Sequence, residues 1–175
     1  MPIRRLNAHP VVVVTGVENS GKTTLAEALA LKLGWPLMAE AARTDDAVVS
    51  ERPTVADLQR LLQAQCDAIE GRTSSLLLDT GPLVLDLWSQ VVFASPLEGA
   101  AAAMEEVDLF ILCRTLPDWE PDPLRTLPNL DDRRDLEAQY VARLNASGRP
   151  WIDLPVQLTS ARLEAALEAV QSHCP

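Results

Sequence analysis

Four consecutive valines, Val11–Val14, lead through Thr15 into Gly16-x-x-x-x-Gly21-Lys22-Thr23, and this stretch constrains the fold more than any other in the chain. A β-branched run without polar alternation is the pattern of a parallel strand buried on both faces. From Thr24 onward a helical pattern begins. Strand, glycine-rich loop and helix in this order make a phosphate-binding loop. The glycines let the backbone curl so that its N–H groups point inward, and the new helix adds its positive end. In that geometry Lys22 reaches the β- and γ-phosphates and the Thr23 hydroxyl holds Mg2+. A plain glycine turn would require neither residue. The chain is expected to bind a nucleoside triphosphate, with ATP and Mg2+ as cofactors. The residues expected at ATP are Gly16, Glu18, Asn19, Ser20, Gly21, Lys22, Thr23 and Thr24.

At 175 residues, 47% of them hydrophobic, the chain suits one globular domain with a central sheet covered on both faces. A formal charge of −10 argues against nucleic-acid binding, which rests on basic surface. Each basic residue then deserves reading as a possible phosphate partner. Cys66, Cys113 and Cys174 are widely spaced, which suits a reducing compartment and offers no metal motif. Met1–Pro10 has no apolar core of the kind a signal peptide carries, and no apolar run is long enough to span a bilayer. A cytoplasmic protein without membrane contact is expected.

Along the chain, strand and helix alternate. Leu25, Ala26, Leu29, Ala30 and Leu33 recur at helical spacing up to a C-cap glycine at Gly34. Pro36–Ala39 reads as a short second strand and 44–52 as irregular. Thr54-x-x-Asp57 is a capping box opening a helix that runs to Gly71. Ser75–Asp79 is a strand ending in an acid. Helices follow over Leu83–Phe93 and within Pro96–Glu106, then a strand at Asp108–Cys113. Prolines 117, 121, 123 and 128 forbid a long helix after that strand. Asp132–Asn145 is helical, Pro150–Leu154 a fifth strand, and Ser160–Ser172 a closing helix with Leu163, Ala166, Leu167 and Val170 inward. The expected fold is α/β: a doubly wound sheet of about five mostly parallel strands flanked by helices. Residues 1–175 are expected to form one such domain.

Ligands of these sheets sit beyond the carboxyl ends of the strands. That rule gathers distant residues into one site. Asp79 follows an apolar strand as a Mg2+-holding acid would, though a strand-end Asp can also cap the next turn. Glu40 and Arg43 follow the second strand, where a carboxylate could take an acceptor's proton; a solvated i,i+3 ion pair fits them equally well. The 114–135 segment, with Trp119, Asp122, Arg125, Arg133 and Arg134, reads as a proline-stiffened lid bringing guanidinium charge to a moving phosphoryl group, in preference to a surface loop with a packed tryptophan. The expected catalytic set is Lys22, Glu40, Asp79, Arg125 and Arg133. Glu40, Arg43, Asp79, Trp88, Trp119 and Asp122 are expected at the substrate, and Thr23 and Asp79 at the metal.

In this order and spacing, the G-x-E-N-S-G-K-T-T-L loop, E-x-x-R, an apolar strand ending D-T, D-L-x-I-L, W-x-x-D-x-L-R and D-R resemble the NadR-type P-loop family over about Val11–Leu154. The resemblance implies a small nucleoside kinase fold and ATP-dependent phosphorylation of a nucleoside-like 5′-hydroxyl, as in ribosylnicotinamide kinases. It places Trp119, Asp122, Arg125 and Arg133 in a lid, and Glu40, Arg43 and Asp79 around acceptor and metal. Ala39 stands where the family often has an aromatic and Gly81 where it often has an acid, both near the expected acceptor pocket. A stand-alone kinase-like domain is expected, without the adenylyltransferase and DNA-binding modules fused in some relatives. The expected chemistry is in-line transfer of the γ-phosphoryl group, with Glu40 or Asp79 as base. A nucleotide-gated regulatory module and a plain NTPase are the alternatives. The acceptor and the oligomeric state stay open.

Overall fold

The computed structural model describes residues 8–50, 53–122, 125–156 and 159–174. Met1–Asn7 of the N-terminus, Glu51 and Arg52 of the polar stretch, and Pro123 and Leu124 of the expected lid lie outside them. The described strands are β1 (Val11–Thr15), β2 (Leu37–Met38), β3 (Leu76–Asp79), β4 (Leu109–Cys113) and β5 (Trp151–Leu154). They form one sheet of order β2-β3-β1-β4-β5, every pair parallel. The chain steps from β1 toward one edge and then returns to the other, so the crevice of the doubly wound sheet opens beside the end of β1.

Around the sheet lie α1 (Lys22–Leu33), α2 (Asp46–Val49), α3 (Val55–Glu70), α4 (Pro82–Phe93), α5 (Ala100–Glu105), α6 (Leu130–Ser147) and α7 (Thr159–His173), with a 3₁₀ turn at Ala41–Arg43. Alternation along β1 divides the core. Val12 and Val14 meet Leu25 and Leu29 of α1 and Ala166 and Val170 of α7. Val11 and Val13 meet Ile69 of α3, Leu83 and Leu87 of α4, and Tyr140 and Leu144 of α6. A third cluster joins α3, α4 and α5 through Leu58, Leu62, Leu85, Leu97 and Ala103. Both faces of the sheet are covered, as the unbroken valine run requires.

Several elements differ from their sequence expectation. β2 is shorter than Pro36–Ala39; beyond its two residues, only the Pro36 carbonyl joins the pairing, accepting from Leu77 N–H at 3.0 Å. The 44–50 stretch contains a helix, α2, because Asp45 accepts from Ala47 and Val48 N–H and is itself held by Arg60 at 2.7 Å. α6 begins at Leu130, two residues early, where Asn129 Oδ1 accepts from Asp131 N–H at 2.8 Å. α1 begins at Lys22 because left-handed Gly21 is its cap. The Thr54–Asp57 capping box and the left-handed cap at Gly34 are present as expected. Among the described residues no helix is long and apolar enough to cross a membrane.

Candidate active site

The loop after β1 is shaped by glycines for specific steric reasons. At Gly16, φ is 148°, and a Cβ there would lie 2.5 Å from the Cys113 carbonyl oxygen and 2.9 Å from Ser20 Oγ. The loop therefore crosses the end of β4 with no room for a side chain. Asn19 and Gly21 both have positive φ, so the backbone curls twice within three residues. Gly21 gives α1 no side-chain cap, which leaves the first amides of that helix for another acceptor. Ser20 is fully buried with its hydroxyl unpartnered, and Lys22 is buried at the helix start. Thr24 is exposed on α1.

Asp79 ends β3 beside Val14 and is 2% exposed. Burial pushes its carboxyl above the ordinary range. The Thr23 hydroxyl bond and the Lys22 charge oppose that rise, while Glu40 adds to it. One carboxylate oxygen has no partner. Lys22, Thr23, Glu40 and Arg43 thus all act on Asp79, as their positions past the strands predict. Glu40 accepts from Arg43 Nε at 3.0 Å, and Arg43 Nη1 reaches Asp122 at 3.2 Å. This chain of groups joins the end of β2 to the 114–135 segment. Burial alone would lower the Arg43 pKa; the bonds to Asp122 and Glu40 outweigh it and raise the value. Trp88 packs on the α3–α4–α5 cluster together with Ala41 and Ala42, under the Glu40–Arg43 turn.

The 114–135 segment, expected as a lid, is tied to the loop by side chains that the sequence suggested for ATP. Glu18 accepts from the backbone N–H groups of Thr126, at 3.1 Å, and Leu127. Asn19 donates to the Asp118 carbonyl and accepts from Arg125 Nη1 at 2.9 Å. Arg125 also donates to the Glu120 carbonyl at 2.5 Å. Arg133 is 1% exposed, donates to the Leu116 carbonyl at 2.9 Å, and lies over the Trp119 ring at 5.1 Å. Its Nε, like that of Arg125, is buried without a partner. At the base of the segment, Arg114 holds Asp153 through two bonds of 2.6 and 2.7 Å and Glu137 through one of 3.0 Å. Arg134 instead pairs with Asp131 on the surface.

Sequence reasoning missed Arg162. It occupies the inward stripe of α7 with Ala166, Ala169 and Val170, while Leu163 and Leu167 are only half-buried. Its Nη1 donates to the Ser20 carbonyl at 2.9 Å. The available signal was spacing, since Arg162 precedes Ala166 by one helical turn. Beneath the loop, burial pushes the Cys113 thiol up to about 11, although the Arg162 and Lys22 charges pull it down.

An uncapped helix start, orphaned oxygens on Ser20 and Asp79, and buried cationic groups suit a Mg2+-bound triphosphate. Among the described residues no cluster of three or more His, Cys, Asp or Glu side chains could hold a metal ion alone. The Thr23 hydroxyl and Asp79 carboxylate are hard donors fit for Mg2+, which keeps water and phosphate in its remaining positions.

Known proteins share the family and the fold. The AAA domain family matches residues 11–162. The fold is similar to that of NadR solved in complex with NR, at TM-score 0.74 and 20% identity, over 95% of this chain and 52% of that one. The chain thus spans about half the length of that NadR chain. Deoxyadenosine kinase from M. mycoides, solved with dCMP and dCDP, matches at TM-score 0.66 and 11% identity over 93% of this chain and 98% of its own. A sugar kinase from Janibacter sp. HTCC2649 matches at 0.55 and 19% identity, covering 95% of this chain and 96% of its own. No curated protein matches the sequence. The structure has the fold of P-loop kinases.

Proposed function

The chain belongs to the AAA domain family, and from that premise we propose that it is an ATP-dependent kinase that phosphorylates a hydroxyl group of a small nucleoside-like acceptor. The observation that carries this reading is the Glu40–Arg43–Asp122 chain of contacts beside Asp79. A nucleotide switch or an NTPase needs only the loop and the metal side. Here a carboxylate, a guanidinium and a second carboxylate converge one step further out, where a second substrate would lie. The bound nucleosides and nucleotides of NadR and deoxyadenosine kinase support the same acceptor class.

In this mechanism the loop amides and Lys22 bind the triphosphate, and Thr23 and Asp79 would hold Mg2+, which when bound would neutralise charge on the phosphates. Glu40 takes the acceptor's hydroxyl proton as the new oxygen–phosphorus bond forms and the bond to ADP breaks. Arg43 orients the acceptor and keeps Glu40 in place. Arg125 and Arg133 bring positive charge over the transferring group. Trp88 and Trp119 supply apolar walls.

The test is a thermal-shift screen of nucleosides in the presence of Mg2+ and AMP-PNP, followed by a phosphoryl-transfer assay on each hit. Ligand at about 100 times its Kd stabilises a protein by about 2.7 kcal/mol. A nucleoside that stabilises the chain further and is phosphorylated by ATP is the expected result. Nucleotide binding without any accepted nucleoside would assign the chain to nucleotide-gated regulation or plain hydrolysis.

A further inference from the structure

Among the described residues, Arg162 is a cation without an anion. It is 6% exposed, and among the described residues it forms no ion pair within 4.0 Å. Its Nε and Nη2 are buried and unpartnered. Its single described hydrogen bond runs from Nη1 to the carbonyl of Ser20, and the same nitrogen lies 3.2 Å from where a Gly21 Cβ would stand. A guanidinium stripped of water and left with open donors is unfavourable in the protein alone. The stripe it occupies is otherwise apolar, with Ala166, Ala169 and Val170.

Peptide geometry gives this bond a direction. The Ser20–Gly21 peptide is trans, so its C=O and N–H point opposite ways. With the carbonyl held by Arg162, the Gly21 N–H points away from that guanidinium. We infer that Arg162 is a positioning residue of the triphosphate site: it fixes the Ser20–Gly21 peptide with its N–H toward the phosphates and backs that donor with a positive charge. The missing counter-ion is the polyphosphate itself, across one peptide group. Lys22 comes from α1 and Arg162 from α7, so two different helices bring cations to this loop. The inference rests on the reading of this loop as a triphosphate site and adds a residue that no part of the loop motif contains.

Arg162→Met tests it, with Arg162→Lys beside it. Two quantities are measured for each protein: the melting temperature without ligand, and the affinities for Mg2+–AMP-PNP, inorganic tripolyphosphate and adenosine. Arg162→Met is expected to melt at or above the wild-type temperature. Its affinity for AMP-PNP and tripolyphosphate should fall by about 10–100-fold, the range for losing one charge-assisted contact. Weak adenosine binding should be unchanged, and Arg162→Lys should recover part of the phosphate affinity. A packing clamp between α7 and the loop predicts the reverse: a lower melting temperature with polyphosphate affinity kept. That result, or an Arg162→Met protein that does not fold, overturns the inference. Wild-type protein with no affinity for AMP-PNP or tripolyphosphate overturns it together with the triphosphate reading. Wild-type affinity that survives in Arg162→Met overturns the inference alone.

Discussion

Asp79 is where burial and charge oppose each other most directly. Its carboxyl sits above the ordinary value of about 3.9 because burial outweighs the Thr23 bond and the Lys22 charge. The folded protein holds this proton more tightly than the unfolded chain does. The contribution to stability is therefore fully present below the unfolded pKa and is lost as pH rises through the folded one. Asp79→Asn removes that loss and keeps an acceptor for Thr23. Without ligand, the variant should melt above wild type near neutral pH. The difference should vanish below about pH 4. In the same variant, transfer should require more Mg2+. Melting curves from acid to neutral pH check the first expectation and a metal titration the second. Glu40→Gln is expected to behave differently, keeping ATP affinity and losing about 10²–10⁴-fold in rate with the true acceptor.

The elements show which information is local. β1, the loop, the Gly34 cap and the Thr54–Asp57 box could be read from the sequence because each is specified within a few adjacent residues. The carboxyl-edge rule then brought Glu40, Arg43 and Asp79 together correctly, since a parallel sheet aligns its strand ends. What stayed hidden depends on distant partners. Glu18 and Asn19 looked like loop residues facing ATP, yet their side chains bond groups about 100 positions later in the chain. Arg162 reaches Ser20 across 142 positions; its spacing from Ala166 marks the inward face of α7 but not the distant partner. The lid contacts lead to a prediction for the segment itself. Glu18→Ala removes the acceptor for two backbone amides, and charge-assisted bonds contribute about 1.5–3 kcal/mol. Amide exchange at Thr126 and Leu127 should rise by about 10–100-fold, while exchange in β1 and β4 stays as it was. Mass-spectrometric exchange on the two proteins checks this; equal protection would show that the segment is held elsewhere.

For the whole molecule, the site and the core are one structure, and Gly81 shows where they join. This glycine stands just beyond Thr80 at the end of β3 and opens α4 ahead of Pro82. A Cβ on it would lie 2.6 Å from Val13 Cγ1, in the middle of the central strand. Its φ of −130° is ordinary for any residue, so space alone excludes a side chain. The close approach seats α4 on β1 and buries Leu83 and Leu87 against Val13. A side chain of any kind, an acid included, would meet Val13 at this position. Gly81→Ala should cost about 1–3 kcal/mol, the usual range for overpacking, and Gly81→Asp more, because its carboxylate would also lose water. Val13→Ala alone should destabilise by vacating core volume. Together, Gly81→Ala and Val13→Ala should be less destabilising than the sum of the two, since each change relieves the other. A double-mutant cycle by denaturant unfolding measures that coupling, expected at about 0.5–3 kcal/mol for residues in contact. Additive effects would mean that α4 moves off the sheet to make room. In that case the acceptor side would deform as well, and the Gly81→Ala protein would lose nucleoside-dependent turnover while still binding AMP-PNP.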